Sequence, residues 1–150
     1  MKRRQAREIA FALIFEAGFY AGKDPLNTEN AGLTGNPDYE EIYRLAAECR
    51  EFEDDDYVKE ALFGVRDHLD AIDQLIADSA VGWKSERLSK VSLAIMRLCV
   101  YEMLYRDDIP YSIAINEAVE LAKKYDYDKA PRFINGVVNT IAEKEGLKQK

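Results

Sequence analysis

Apolar residues recur every three to four positions along most of this chain, and no stretch alternates with the period of two that a half-buried strand requires. From Arg4 to Tyr20, the residues Ala6, Ile9, Ala10, Leu13, Ala17 and Tyr20 fall on one face at helical spacing. Gly22, Asp24, Pro25, Gly32, Gly35 and Pro37 then mark a long irregular connection. Asp38 to Glu51 reads as a second helix with Ile42, Leu45 and Ala46 inward. A third, capped by Asp56, carries the most regular amphipathic run: Val58, Ala61, Leu62, Val65, Leu69, Ile72, Leu75 and Ile76. Its length predicts one central strut. A fourth segment, roughly Leu88 to Arg106, is apolar on nearly every side and predicts an enclosed core helix. Beyond Pro110, Ser112 can cap a fifth helix whose buried stripe is Ile115, Ala118, Val119 and Ala122. Asp128 can cap a sixth, with Pro131 tolerated in its first turn and Phe133, Val137, Val138 and Ile141 inward. The pattern predicts an all-α fold.

Length and composition narrow the class. A chain of 150 residues is the ordinary size of one domain, so residues 1–150 are expected to form a single unit with a real core. Its 47% hydrophobic and 33% charged content argues against disorder and against a disulfide scaffold. Arg7, Glu8 and Glu16 interrupt the apolar run near the start, which does not read as a signal peptide. Arg97 and Glu102 interrupt the most apolar stretch, Val91 to Tyr105, so no membrane span is expected and a cytoplasmic location is. Cys49 and Cys99 stand apart, outside any CxxC, and read as two buried thiols in a reducing compartment.

Net charge is −7, which discourages a polyanionic partner until its distribution is considered. Lys2, Arg3, Arg4 and Arg7 make the first seven residues +4 and leave −11 for the remainder. A basic arm on an acidic body points to one localised anion site. Enzyme chemistry finds little support. His68 is the only histidine and reads as a solvated helix residue, and there is no HExxH, GxSxG, GxxxxGK[ST] or GxGxxG. Asp54, Asp55 and Asp56 at a helix start are explained by capping and the macrodipole. No catalytic residue, metal or cofactor is expected.

On a helical wheel, Arg4, Arg7, Phe11 and Phe15 lie opposite the first core stripe. Guanidinium groups fork onto phosphates and aromatic faces accept unstacked bases, so this ridge suits RNA. The same phenylalanines fit equally well as packing residues or as a homodimer contact. In the sixth segment the string Arg132, Phe133, Ile134, Asn135, Gly136 is unusual, because glycine in a helix interior costs about 1 kcal/mol against alanine. Close approach of another helix would offset that cost, and so would close approach of a sugar-phosphate backbone.

The stretch WKSERLSKVSLAIMRLCVYEMLYRDDIPYSIAINEAVELAKKYDYDKAPRFINGVVNTI, Trp83 to Ile141, resembles the NusB family of transcription antitermination factors. The helix ending in YE, then IP, INEAVELAK and FINGV stand in order at family spacing. KRRQAREIA, Lys2 to Ala10, is similar to the family's arginine-rich first helix, whereas residues 21–57 show only a weak likeness. The resemblance implies two small packed helical bundles, about six to seven helices in all. It also implies binding of single-stranded boxA-like RNA in ribosomal RNA leader transcripts, together with NusE, a ribosomal protein acting as a transcription factor, and through it the elongation complex. Arg3, Arg4 and Arg7 match the arginine-rich motif, with Lys2 beside them in the basic arm, Phe15 stands where relatives commonly carry tyrosine, and Arg132, Phe133 and Asn135 match a second RNA-facing motif. Tyr111 matches a position near the NusE contact. Ser92 and Lys129 depart from the pattern at places where relatives can carry acids. Glu102 and Asn116 match the pattern too, and their apolar surroundings read them as hydrogen-bonded core residues. The first-helix ridge and the FINGV string form one surface if their helices are neighbours. The expected function is therefore an RNA-binding antitermination adaptor. Two alternatives stand beside it: a helical scaffold or homodimer without direct RNA binding, and an accessory module of an RNA-modifying enzyme.

Overall fold

In the computed structural model, which describes residues 1–21, 37–49, 52–83 and 88–149, the described residues form seven α-helices and no strand. In chain order they are α1 (Arg3–Ala21), α2 (Tyr39–Cys49), α3 (Asp56–Asp67), α4 (Leu69–Ser79), α5 (Lys90–Tyr105), α6 (Tyr111–Tyr125) and α7 (Ala130–Lys144), with short 3₁₀ turns at Val81–Trp83 and Leu147–Gln149. The connection expected around Gly22, Asp24, Pro25, Gly32 and Gly35 lies outside the described residues, as does Glu51, the expected end of the second helix. Among the described residues no helix is long and apolar enough to cross a membrane.

The fourth predicted segment is the structural centre. Every residue of α5 from Ser92 to Met103 is buried, as an apolar circumference requires. α1, α2 and α3 pack together as one bundle, α4, α6 and α7 as another, and α5 contributes to both. Ser89 caps α5 by accepting from the Ser92 N–H at 2.8 Å. Its hydroxyl also donates to Asp126 Oδ1 at 3.0 Å, and the fully buried Ser92 hydroxyl bonds the same carboxylate. Asp126 is the C-cap of α6, so this cluster ties the end of α6 to the start of α5.

The single strut expected from Asp56 to Ile76 is instead two helices. At His68 (φ −118°, ψ 18°) the backbone leaves the helical region, although the bonds His68 N–H to Gly64 O and Ile72 N–H to His68 O carry the chain across the bend. The bend lays the exposed imidazole flat on Tyr105, with ring centroids 3.8 Å apart and planes 10° from parallel. Caps shift too. Asp55, not Asp56, is the N-cap of α3 and accepts from the Val58 N–H at 3.0 Å. Pro110 and Lys129, neither giving a side-chain cap bond, stand at the N-caps expected at Ser112 and Asp128. In α2, Tyr43 replaces Leu45 on the buried face, because its hydroxyl bonds Asp54 at 2.7 Å and receives the Asp55 N–H at 2.9 Å, leaving Leu45 in solvent. Cys99 is buried as expected, but Cys49 is exposed at the end of α2.

Candidate nucleic-acid interface

The basic arm divides into an outer and an inner part. Lys2, Arg3 and Arg4 are exposed, whereas Arg7 is only 4% exposed. One turn separates Arg3 from Arg7 on the same side of α1, but Arg7 points at α5, where Glu102 is buried among apolar side chains and needs a partner. Arg7 Nε donates to both Glu102 oxygens at 3.1 Å and Nη2 to Oε2 at 2.9 Å, while the Tyr57 hydroxyl donates to Oε2 at 3.0 Å. Burial pulls the Arg7 pKa down, but the hydrogen bonds and charge of Glu102 outweigh it and hold it above the usual arginine value. Burial together with the Glu102 charge pushes the Tyr57 hydroxyl well up. Arg7 is thus a buried ion-pair partner and is not presented to a ligand, contrary to the exposed ridge expected from the wheel.

Phe11 departs from that ridge for a related reason. It is buried against Tyr125 of α6, with ring centroids 5.4 Å apart. Phe15 is partly buried and packs on the core. α1 is enclosed by α2, α3 and α5 and touched by α6 side chains, so its apolar arc is wider than one stripe. Of the basic arm, the residues of α1 that face outward are Arg3 and Arg4. The Arg3 guanidinium lies 4.5 Å from the centre of the Tyr57 ring, within cation–π range. Arg4 crosses to α6, donating from Nη2 and Nε to the two oxygens of Glu117 at 2.9 and 3.3 Å. Further along, Glu8 accepts from Lys124 at 2.8 Å and from the Tyr125 hydroxyl at 3.0 Å. Arg4, Glu8, Glu117 and Lys124 line a cleft of about 340 Å³ between α1 and α6.

The second motif splits likewise. Arg132 and Asn135 are exposed on α7, and Asn135 accepts from the Asn139 amide at 3.0 Å. Phe133 is fully buried, edge-on to Trp83 with centroids 5.6 Å apart, which removes it from any surface contact. Trp83 also accounts for Gly136: the six-membered edge of the indole occupies the space where a Cβ at that position would stand. The glycine admits a tryptophan side chain, neither a helix backbone nor a phosphate.

α1 and α7 both pack on α5, and neither is a main packing partner of the other. The two motifs are therefore bridged by α5, on which both helices pack, and by α6, whose last turn lies on α1 and whose end leads directly into α7. Tyr111, the first residue of α6, is half-buried behind Pro110. Of the two departures, Ser92 is internal and bonded to Asp126, and Lys129 is exposed at the start of α7. Asn116 is exposed, not a core residue, because the apolar stripe of α6 runs through Ala114, Ile115, Ala118, Leu121 and Ala122. Sequence reasoning missed Tyr57, Glu117 and Trp83. Glu102 carried a signal for its ion pair with Arg7, since a carboxylate in a largely apolar helix demands a cation from a neighbour.

Known proteins resemble this chain over most or all of its length. The model of the NusB family matches residues 4–143. A transcription antitermination protein NusB of Bacillus pumilus is 41% identical over 150 residues, covering all of both chains. One from Clostridium botulinum is 41% identical, covering 94% of this chain and 99% of the relative. Among solved structures, NusB of T. maritima superposes with a TM-score of 0.71 at 28% identity, covering 100% of this chain and 99% of the other. A chain from a crystal structure of the antitermination factors NusB and NusE in complex with dsRNA gives a TM-score of 0.74 at 22% identity, covering 95% and 96%.

Proposed function

This chain belongs to the NusB family, and from that membership we propose that it is an RNA-binding adaptor of transcription antitermination. It holds a single-stranded boxA-like element together with NusE and, through NusE, joins the elongation complex in the cytoplasm. The observation that carries the reading is the family match across residues 4–143, supported by a full-length relative described as a transcription antitermination protein. The reading assigns the chain no turnover, metal or cofactor of its own and treats residues 1–150 as one RNA-binding domain.

In this proposal Lys2, Arg3 and Arg4 contact phosphates, Arg132 and Asn135 form a second contact beyond the end of α6, and the accessible edge of Phe15 meets a base or sugar. Arg7 and Phe133 act from behind, Arg7 by fixing α1 on α5 and Phe133 by fixing α7 on Trp83. Tyr111 lies on the NusE side. Filter binding of a boxA-like RNA, with and without NusE, tests the reading. With three exposed cations in the arm rather than four, the arm should contribute a slope of about −2 to log K against log salt, using roughly −0.7 per single-strand phosphate contact. Arg3→Ala with Arg4→Ala should remove about 1.4 of it. Undetectable RNA binding at low salt, both with and without NusE, would overturn the proposal.

A further inference from the structure

The outer arginine of the arm is already engaged. Arg4 lies 68% exposed, yet its guanidinium forks onto the Glu117 carboxylate, whose own side chain is only 14% exposed. That planar two-oxygen acceptor is the same geometry that a phosphate offers. Arg7 Nη1 stands 3.8 Å from Glu117 Oε2, the oxygen that also accepts from Arg4 Nε, but Arg7 already makes three short contacts with Glu102. It can therefore only partly screen Glu117 when Arg4 leaves, and it stays in the core. The next pair along the cleft repeats the arrangement, with Glu8 holding Lys124 and Tyr125. Cations of the α1–α6 cleft are thus covered by carboxylates of the same chain.

We propose that Glu117 is an intramolecular competitor for the RNA phosphate at Arg4, an acidic latch that must yield its guanidinium before the arm can engage RNA fully. The inference rests on the RNA-binding reading above and adds a residue that sets affinity by opposing it. An exposed ion pair is weak, so a phosphate can displace it. Displacement leaves Glu117 close to the incoming phosphate, and the repulsion lowers affinity without abolishing it.

The test compares four proteins, wild type, Glu117→Gln, Arg4→Ala and the double variant, by fluorescence anisotropy with a boxA-like RNA and with an unstructured oligouridine. Glu120→Gln serves as the control for loss of one acid from the same helix and cleft, since Glu120 is hydrogen-bonded to Lys123 and reaches Arg4 through its charge alone. Glu117→Gln should bind both RNAs about 1.5- to 5-fold more tightly, the range of one exposed ion pair. Its salt slope should steepen by up to about 0.7. In the Arg4→Ala background the same change should shift affinity no more than Glu120→Gln does. Glu117→Asp, which keeps the charge but withdraws it from Arg4, should give a smaller gain and serves if the glutamine variant fails to fold. Equal or weaker binding by Glu117→Gln at unchanged melting temperature, or a gain that persists without Arg4, would overturn the latch while leaving the RNA-binding reading intact. If wild type and Glu117→Gln are both silent toward both RNAs, that reading falls and the latch falls with it.

Discussion

Arg4 and Arg7 belong to one basic motif, but the structure predicts that replacing them has unrelated effects. Arg7→Met keeps the length of the side chain and removes its charge, leaving the Glu102 carboxylate, 1% exposed, with the Tyr57 hydroxyl as its one hydrogen-bond partner among the described residues. Breaking a buried ion pair from one side costs about 3–5 kcal/mol, because the remaining charge is desolvated and uncompensated. For a chain of this length about 2–4 °C of melting temperature is lost per kcal/mol, so the midpoint should fall by roughly 6–20 °C. Arg7→Met with Glu102→Leu removes both charges and strands only the Tyr57 hydroxyl, at about 1–3 kcal/mol. The double variant should therefore be more stable than Arg7→Met alone, a non-additivity that urea titration of the full cycle measures directly. RNA affinity, taken at a temperature where every variant is folded, should change little for Arg7→Met and clearly for Arg4→Ala. A loss below about 1 kcal/mol for Arg7→Met, accompanied by a large loss of RNA affinity, would refute the reasoning.

Other consequences are more local. Leu98→Ala, at a residue 1% exposed in α5, should cost about 2–5 kcal/mol in denaturant titration through the cavity it leaves. Tyr111→Ala should weaken NusE binding and leave RNA binding by the isolated chain nearly unchanged, which paired titrations check. Hydrogen bonding and the charge of Arg106 hold the exposed Asp108 carboxylate at about 2, below its ordinary value near 3.9. Stability from that contact is present above about pH 4 and lost as pH falls through about 2. A carboxyl NMR titration should place Asp108 there and return it toward the ordinary value in Arg106→Gln.

The helices themselves were legible because each carries a local signal, and α5 was legible as the core because its apolar circumference admits no other place. The division at His68 was not, since Leu69, Ile72 and Ile76 keep helical phase across it and the ring that receives His68 comes from Tyr105, 37 positions away. Within Asp54, Asp55 and Asp56 any acid satisfies the capping rule, so the cap could be placed only to within a residue. The exposed ridge failed on a different ground. A wheel ranks faces by hydrophobicity, and it placed Arg7 outside because charge is ordinarily solvated. Glu102 reverses that ranking, since a buried carboxylate is most cheaply neutralised by the nearest available cation. Gly136 was flagged as costly in a helix, yet its reason, the Trp83 indole, lies 53 positions upstream. In each case local pattern identified the residue and a distant side chain decided its role.

Because α5 is counted in both bundles, neither bundle has a complete core without it, and neither can open while the other stays shut. Unfolding should be one cooperative event, with the amides of α5 exchanging only by global opening and at one common free energy. Mass action then acts on the whole chain at once. A ligand held at the arm on α1 and a protein held near the start of α6 each raise the stability of residues they never touch, by an amount set by their own concentration and dissociation constant.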